Sequence, residues 1–349
     1  MPVNAVIYGV SGPRLTKSEA RFFADINPWG FILFARNIEG PLQVRALTAA
    51  LRDCVGRDCF IFIDQEGGRV QRLRPPHWMN YPALATYGRI YDKDQEVAER
   101  GVYLHHRLIA DDLRRLGIDA DCAPVLDIPT EEADPIISDR AFSHDPRAVI
   151  DMAHAAMAGL MEGGVVPVIK HIPGHGRAKV DSHKDLPIIQ SSHADMQGQD
   201  FLPFRTLRHA PMAMTAHAVY DCIDKNHPAT LSNQLISTLI RDEFGFDGLL
   251  MSDDLDMKAL SGELSLRAGK ALAAGCDVVL HCSGDMKAMV TVASGINAMT
   301  PKAEQRAHIA QFCREDAHPC DRKMITQEFA KLLSDWKLKD EAKDEVLAS

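Results

Sequence analysis

The 349-residue sequence predicts an α/β fold, and specifically a (β/α)8 barrel of the TIM type. Three observations support this prediction: short apolar runs recur eight times, helical segments lie between them, and glycines stand where the helices should stop. The apolar runs lack polar alternation, which is typical of parallel strands covered on both faces. A doubly wound open sheet is the alternative that the same pattern allows.

The predicted strands are the short, continuous apolar runs of the sequence. In chain order they are NAVIY (4–8), GFILF (30–34), FIFID (60–64), DADCAPV (119–125), VVPVIKH (165–171), AMTAHAV (213–219), DGLLMSD (247–253) and DVVLHC (277–282). Helical patterns are predicted at 95–116, 146–162, 233–244, 262–274 and 287–299. Their predicted ends coincide with Gly117, Gly163, Gly245 and Gly275.

The remaining segment, residues 301–349, is polar and is predicted to form peripheral C-terminal helices on the outside of the barrel. No internal repeat, low-complexity linker or change of composition divides the chain. We therefore expect residues 1–349 to form one domain.

Composition and charge restrict the classes of function. The formal net charge of −9 argues against a nucleic-acid partner but allows a small charged substrate. No basic segment precedes a long apolar run at the N-terminus, so we expect no signal peptide, no membrane span and a cytoplasmic protein. Nothing in the sequence indicates an obligate protein partner.

The eight cysteines are scattered along the chain, and we expect free thiols in a reducing compartment. Cys313, His318 and Cys320 lie close together in sequence and would suit zinc. The set is one ligand short and lacks CxxC spacing, which disfavours a zinc site.

Ionisable residues end five of the predicted strands. They are Asp64, Asp127, the pair Lys170 and His171, His217, and Asp253. Because barrel enzymes place their chemistry at the C-terminal ends of the strands, we expect these residues to meet at one rim.

The first cluster follows the third strand, in IDQEGGRVQRLRP (63–75). Asp64 can accept hydrogen bonds from substrate hydroxyl groups, and Arg69 or Arg72 can hold a carbonyl or an anion through its guanidinium fork. A local salt bridge between Asp64 and an arginine explains the same residues without a ligand.

The second cluster is VIKHIPGHGRAKVDSHKDLP (168–187), which contains three histidines. His171 and His175 are four residues apart, but PGHG cannot be helical, so a zincin-like pair is excluded. Asp181 can bond the imidazole of His183 and fix its tautomer, which is typical of a proton carrier. A surface Asp-Ser-His loop, or a catalytic metal held by the histidines, stays open as an alternative.

The third cluster is GLLMSDDLDM (248–257). Side chains alternate along a strand, so we expect only one of Asp253 and Asp254 to face the barrel axis. A carboxylate there acts as a general base, a nucleophile or a metal ligand. Together with a proton carrier across a pocket, it suffices for double-displacement glycoside hydrolysis.

At this point the motifs resemble a known family. The stretches that carry the resemblance are GFILFARN (30–37), FIDQEGGRVQRL (62–73), SDRAF (138–142), KHIPGHG…DSH (170–183) and SDDLDM (252–257). Over about residues 5–300 the chain resembles glycoside hydrolase family 3, specifically its bacterial β-N-acetylhexosaminidases of peptidoglycan recycling. The KH-x-PGHG…DSH block separates these N-acetylglucosaminidases from the β-glucosidases of the family.

The resemblance implies a retaining mechanism without metal or cofactor. It assigns Asp253 as nucleophile, His183 as acid/base and Asp181 as the partner of His183. Its sugar-binding positions are Asp64, Arg72, Arg140, Lys170 and His171. An imidazole with an ordinary pKa of roughly 6.5 suits both proton transfers at neutral pH.

The resemblance also implies removal of terminal N-acetylglucosamine from anhydromuropeptides by a single-domain form of the Gram-negative cytosol. The competing hypotheses are a metal-dependent hydrolase that uses His171, His175, His183 and Asp253, a sugar-binding protein on a degenerate barrel, and phosphorolysis in place of hydrolysis.

Overall fold

The computed structural model describes residues 2–315 and 317–336, and its centre is a closed barrel of eight parallel strands. The barrel strands are β1 (Asn4–Gly9), β2 (Pro28–Leu33), β3 (Phe60–Ile63), β4 (Ala120–Asp121), β5 (Val166–Ile172), β6 (Met212–Thr215), β7 (Leu249–Asp254) and β8 (Val278–His281). Each strand pairs with the next, and β1 pairs with β8 through the register Val6↔Val279, which closes the barrel. The predicted (β/α)8 barrel is confirmed, and the open sheet is excluded.

Every predicted strand segment overlaps one barrel strand. The fourth is the shortest, because only Ala120 and Asp121 pair in the ladder. An isolated parallel bridge between Val125 and Lys170 continues the contact with β5.

Helices surround the barrel in the described part of the chain. The α-helices are Lys17–Ile26, Pro41–Val55, Ala85–Tyr91, Gln95–Arg115, Pro146–Glu162, His193–Gln197, Phe201–Thr206, Leu264–Ala274, Met286–Ala293, Pro301–Glu315 and Arg322–Asp335. Short 3₁₀ segments cover Ala35–Asn37, Ser138–Arg140 and Ala229–Leu231.

Two predicted helices differ from expectation. The helix predicted at 233–244 is a π-helix, Leu235–Glu243. The helix predicted at 287–299 begins at Met286 and already ends at Ala293. A Cβ atom on Gly295 would lie 2.0 Å from the Ser265 carbonyl oxygen, so this glycine lets the chain pass close to the neighbouring helix directly after that end.

Two apolar layers explain the uninterrupted apolar runs. Ile32 and Phe62 belong to a cluster inside the barrel, whereas Phe31 and Ile61 belong to the layer between strands and helices. Because both faces of each strand are buried, neither face needs polar residues.

Short extra strands build the rim at the C-terminal ends of the barrel strands. Gln65–Gly67 pairs with Val70–Gln71 as a hairpin directly after β3. A second small sheet joins Ile188–Ile189, Val219–Tyr220 and Asp224–Pro228. These additions place residues from several loops around the mouth of the barrel.

The first C-terminal helix, Pro301–Glu315, closes the opposite end of the barrel. Ala303 and Ala310 join the interior apolar cluster. Arg306 bonds Asp277, just before β8, at 2.8 Å. The prediction that all of 301–349 packs on the outside is therefore wrong for this helix, because its small residues fit the open barrel end.

The second C-terminal helix, Arg322–Asp335, lies on the outer layer and buries Ile325 and Phe329 there. Residues 337–349 lie outside the described residues, and the single-domain interpretation stays a prediction. In the stretches that the structure describes, no helix has both the length and the apolar character needed to cross a membrane.

We predict that Phe329→Ala destabilises the protein strongly. Its ring is 0% exposed, so truncation removes buried area and leaves a cavity, at a cost of about 3–5 kcal/mol. The matched control is Phe312→Ala in the preceding helix, whose side chain is 69% exposed. Urea unfolding followed by circular dichroism should show a change within about 0.5 kcal/mol for the control. Equal effects in both variants would contradict this packing.

Candidate active site

A cavity of about 250 Å³ opens at the C-terminal rim of the barrel. The predicted site residues that line it are Asp64, Arg72, Arg140, Lys170, His171, His183 and Asp253. Asp181 does not line the cavity but bonds His183 from behind. The strand ends therefore meet at one rim, as the barrel geometry requires.

One wall of the cavity is a buried network of charges around Lys170. The Lys170 side chain is 2% exposed, and its Nζ lies 2.9 Å from Asp64 Oδ1 and 2.6 Å from Glu66 Oε1. Arg72 donates to Asp64 at 3.1 Å, so the local Asp–Arg salt bridge exists and forms part of the cavity wall. Arg140 holds Glu66 with two hydrogen bonds of 2.9 and 2.8 Å.

The network keeps its carboxylates ionised despite burial. Burial alone would raise the pKa of Asp64, but the charges of Lys170 and Arg72 outweigh it and hold this pKa well below its ordinary range. Burial would likewise raise the pKa of Glu66, but the charges of Arg140 and Lys170 outweigh it and lower this pKa to about 2. Two anions thus face three cations, and the wall presents cationic donors to a ligand.

Glu66 was not among the predicted site residues. Its signal in the sequence is the glycine pair that follows it, because Gly67 has a φ of 104° and turns the chain back after β3. A Cβ atom at Gly67 would lie 2.6 Å from the Pro82 carbonyl oxygen. The resulting hairpin brings Glu66 next to Lys170.

His171 is fixed by the buried Asp127. The ring Nδ1 lies 2.6 Å from Asp127 Oδ2, and Asp127 Oδ1 also accepts from the backbone N–H groups of His171 and His175. Burial would raise the pKa of Asp127, but the charge of His171 and its hydrogen bond outweigh it and lower this pKa to about 2. Nε2 of His171 is therefore the ring nitrogen left for a ligand.

His175 also lines the cavity, although the sequence singled it out only as a possible metal ligand. Neither of its ring nitrogens has a hydrogen-bond partner within the described residues. Burial lowers the pKa of His175 to about 4, so its ring is neutral near pH 7.

Asp253 is the next-to-last residue of β7, and its carboxylate lines the cavity. Burial alone would raise its pKa. The imidazoles of His217 and His171 outweigh burial and, with the backbone N–H of the next residue at 2.8 Å, hold the pKa below its ordinary value. The carboxylate is therefore ionised at neutral pH.

Asp254 lines the cavity as well, so the expectation that only one of the two aspartates faces inward is wrong. The register between β7 and β8 shifts between Met251 and Asp254, which breaks the regular alternation. Burial raises the pKa of Asp254 to about 6. Both carboxyl groups are therefore mostly ionised at neutral pH, but Asp254 takes up a proton at a higher pH than Asp253 does.

The loop after β5 carries the Asp181–His183 pair. Asp181 Oδ1 accepts from the backbone N–H of His183 at 2.9 Å and lies 2.8 Å from its ring Nδ1. Burial would raise the pKa of Asp181, but these hydrogen bonds outweigh it and lower the pKa. The His183 side chain is 61% exposed, so its imidazole lies at the open side of the cavity.

Two contacts shape this loop. A Cβ atom at Gly176 would lie 2.0 Å from the Ile128 carbonyl oxygen, so only glycine fits there. The backbone N–H of Ala259 donates to the Ser182 carbonyl at 3.1 Å and ties the loop to the segment after β7. The acid/base candidate is thereby held beside the strand that carries Asp253.

Potential metal ligands converge elsewhere than the sequence suggested. Within residues 2–315 and 317–336, only Asp254, Asp256 and His281 bring three such groups together. Cys313, His318 and Cys320 form no group of this kind, and neither do the three histidines of the loop with Asp253.

Comparisons with known proteins identify the family of this chain. The family model "Glycosyl hydrolase family 3 N terminal domain" matches residues 7–311. A β-hexosaminidase of Alkalilimnicola ehrlichii is 39% identical over 287 residues, which are 81% of this chain and 82% of the relative. A β-hexosaminidase of Bordetella avium is 37% identical over 81% of each chain.

A solved structure is similar throughout. The crystal structure of NagZ from Neisseria gonorrhoeae in complex with N-trifluoroacetyl-D-glucosamine superposes with a TM-score of 0.85 at 31% identity, covering 95% of this chain and 98% of that one. By the family match, the curated relatives and the shared barrel, this chain belongs to glycosyl hydrolase family 3.

Proposed function

We propose that the protein is an exo-acting, retaining β-N-acetylglucosaminidase. Its substrates would be peptidoglycan fragments, GlcNAc-1,6-anhydroMurNAc and its peptides, from which it removes the non-reducing terminal sugar during cytoplasmic cell-wall recycling. The observation that carries the proposal is an ionised, half-buried Asp253 that shares one small cavity with His183, which Asp181 bonds from behind. The curated β-hexosaminidases support the sugar class.

In the first step Asp253 attacks the anomeric carbon. The glycosidic C–O bond breaks as the Asp253–sugar ester forms, and His183 gives its proton to the departing oxygen. In the second step, neutral His183 takes a proton from water while the water oxygen attacks the anomeric carbon and releases Asp253. Two inversions at that carbon retain the β configuration.

Asp181 prepares His183 for both steps. Because Asp181 engages Nδ1, the exchangeable proton of the catalytic cycle lies on Nε2. The carboxylate also stabilises the imidazolium that exists before the first step and after the second. Exposure of His183 lets the loop move as the leaving group enters and departs.

The charge network supplies the sugar-binding wall. Lys170 and Arg72 are held by Asp64, and Arg140 is held by Glu66, so their remaining N–H groups are fixed donors for hydroxyl or carbonyl oxygens. His171 offers Nε2 from a neighbouring strand end. A cavity of about 250 Å³ is at the small end of ligand pockets, which supports one terminal sugar and hence exo action.

We predict that Asp253→Asn reduces hydrolysis of 4-nitrophenyl N-acetyl-β-glucosaminide to below about 1% of wild type in EDTA-treated, metal-free buffer. A 100-fold loss corresponds to about 2.7 kcal/mol of barrier, a minimum for removal of a nucleophile. The matched control is Asp256→Asn, two residues beyond β7, which should retain activity within about threefold. Activity of Asp253→Asn well above 1%, with an unchanged melting temperature, would contradict the assignment.

We predict that the loss of activity in His183→Ala depends strongly on the leaving group of the substrate. General acid catalysis contributes about 10²–10⁴-fold where the leaving oxygen needs a proton. Hydrolysis of GlcNAc-1,6-anhydroMurNAc should therefore fall far more than glycosylation by 2,4-dinitrophenyl N-acetyl-β-glucosaminide, whose leaving group needs none. Rates from pre-steady-state release of the phenol provide the comparison. Equal losses on both substrates would indicate that His183 only shapes the loop.

We predict that the ionised Glu66 stabilises the folded protein and that this stabilisation is lost in acid. Its pKa falls from 4.5 to about 2 on folding, so the stabilisation is complete above about pH 5 and disappears as the pH falls toward 2. The contribution is up to about 3 kcal/mol by linkage. The free energy of unfolding should be measured in urea for wild type and Glu66→Gln between about pH 5 and pH 2. It should fall less steeply with decreasing pH in the variant.

The control for this experiment is Glu132→Gln on the exposed Glu132–Lys179 pair, which should follow the wild-type curve. Identical acid profiles for wild type and Glu66→Gln would show that Glu66 is not held ionised by its cationic neighbours.

A further inference from the structure

His217 is an ionisable strand-end residue that the proposed mechanism does not use. It follows β6, which pairs with β7 through the register Met251↔Met214, and it is 0% exposed. Its ring Nε2 lies 3.0 Å from the backbone carbonyl oxygen of Asp254. Because a carbonyl oxygen can only accept a hydrogen bond, the proton of the neutral ring lies on Nε2 and is donated to β7.

The second ring nitrogen of His217 is bonded as well. Nδ1 lies 2.7 Å from the hydroxyl oxygen of Thr230, which lies 2.7 Å from the hydroxyl oxygen of Thr215 and 3.2 Å from the Ala216 carbonyl. Both threonines are 0% exposed. Burial lowers the pKa of His217, which favours the neutral ring with Nδ1 as an acceptor. Buried side chains therefore fix the ring in the tautomer that donates to Asp254.

The end of β7 departs from regular pairing on its other side. Its register with β8 shifts between Met251 and Asp254. There the backbone N–H of Leu280 donates to the Ser252 hydroxyl at 2.9 Å, and the backbone N–H of Cys282 donates to Asp254 Oδ1 at 3.1 Å. Side chains thus accept hydrogen bonds that backbone carbonyls accept in a regular ladder. Such an irregularity redirects the side chains of the strand that contains it.

The backbone of Asp254 connects this irregular strand end to the proposed nucleophile. Its N–H donates to Asp253 Oδ1 at 2.8 Å, and its carbonyl oxygen accepts from His217. The hydrogen bond from His217 therefore restrains the stretch of backbone that holds the Asp253 carboxylate. Precise placement matters for attack, since a displacement of about 1 Å can cost about 100-fold in rate.

We propose that His217 is a positioning residue, which binds the Asp254 carbonyl and so holds the end of β7 in the form that directs Asp253 at the anomeric carbon. The inference rests on the proposed role of Asp253 as nucleophile. His217 acts through the backbone, because it does not line the cavity and the sugar-binding wall comes from other strands and loops. Its removal should therefore slow the first chemical step and leave the affinity for the sugar nearly unchanged.

Three substitutions of His217 separate its two hydrogen bonds. His217→Leu removes both at a similar side-chain volume. His217→Asn keeps a polar group near the position of Nδ1 but is too short to reach the Asp254 carbonyl. His217→Gln is longer and can place an amide N–H near the position of Nε2. Pre-steady-state release of phenol from 2,4-dinitrophenyl N-acetyl-β-glucosaminide gives the rate of the first step, and inhibition by free N-acetylglucosamine gives the affinity for the sugar.

We expect His217→Leu and His217→Asn to slow the first step at least about 30-fold, with an affinity for N-acetylglucosamine within about threefold of wild type. His217→Gln should recover at least about tenfold of that loss. The matched control is His106→Leu, because His106 is also 0% exposed and its Nδ1 lies 2.9 Å from the Val102 carbonyl in an outer helix. This control should lose stability but keep its first-step rate within about threefold of wild type.

His217→Asn and His217→Gln keep the test valid if His217→Leu does not fold. Equal first-step rates in these two variants, or a wild-type rate in folded His217→Asn, would overturn the proposal. Equal losses of rate and of affinity for N-acetylglucosamine would also overturn it, because His217 would then shape the whole cavity. Absence of turnover by wild type would instead contradict the proposed function, and this assignment with it.

Discussion

The buried ammonium of Lys170 is the interaction on which the rim of the barrel depends. It joins Asp64 at the end of β3 and Glu66 in the following hairpin to β5, and Glu66 in turn holds Arg140. Loss of one partner in such a network leaves an uncompensated buried charge, which costs about 3–5 kcal/mol. The imidazoles of His217 and His171 lower the pKa of Asp253 most, and the Lys170 ammonium adds to their effect, so the rim also helps to keep the proposed nucleophile charged.

The adjacent residues Asp253 and Asp254 show how strongly local surroundings decide the function of a carboxyl group. Asp253 faces imidazoles and an ammonium and keeps its charge. Asp254 accepts two backbone hydrogen bonds, from Asp256 and Cys282, but burial dominates and its pKa rises to about 6. Neighbouring groups with separated pKa values are typical of acid/base assignments in active sites. Because Asp253 has the lower pKa, it stays ionised over a wider pH range than Asp254, which is consistent with the role proposed for it.

Much of the fold follows from local sequence pattern. The eight apolar runs predicted the strands because burial on both faces removes polar alternation, and ionisable residues at the strand ends predicted the rim. The sequence did not reveal the position of the Pro301–Glu315 helix under the barrel, because that depends on the shape of the open barrel end. The part of Glu66 in the site and the convergence of Asp256 with His281 were not predicted either. Both depend on contacts between segments that are distant in the sequence. The roles given to Asp253 and His183 came from family resemblance, since periodicity and spacing left several chemistries open.

The proposed mechanism requires a covalent sugar ester on Asp253. It can be tested most directly with His183→Ala, in which water attack on the ester is slowed because the general base is absent. The variant is mixed with 2,4-dinitrophenyl N-acetyl-β-glucosaminide, quenched in acid, digested and analysed by tandem mass spectrometry. We expect one added N-acetylglucosaminyl group on the peptide that contains SDDLDM, located on Asp253. Complete release of the phenol with no adduct, or an adduct on another residue, would contradict it.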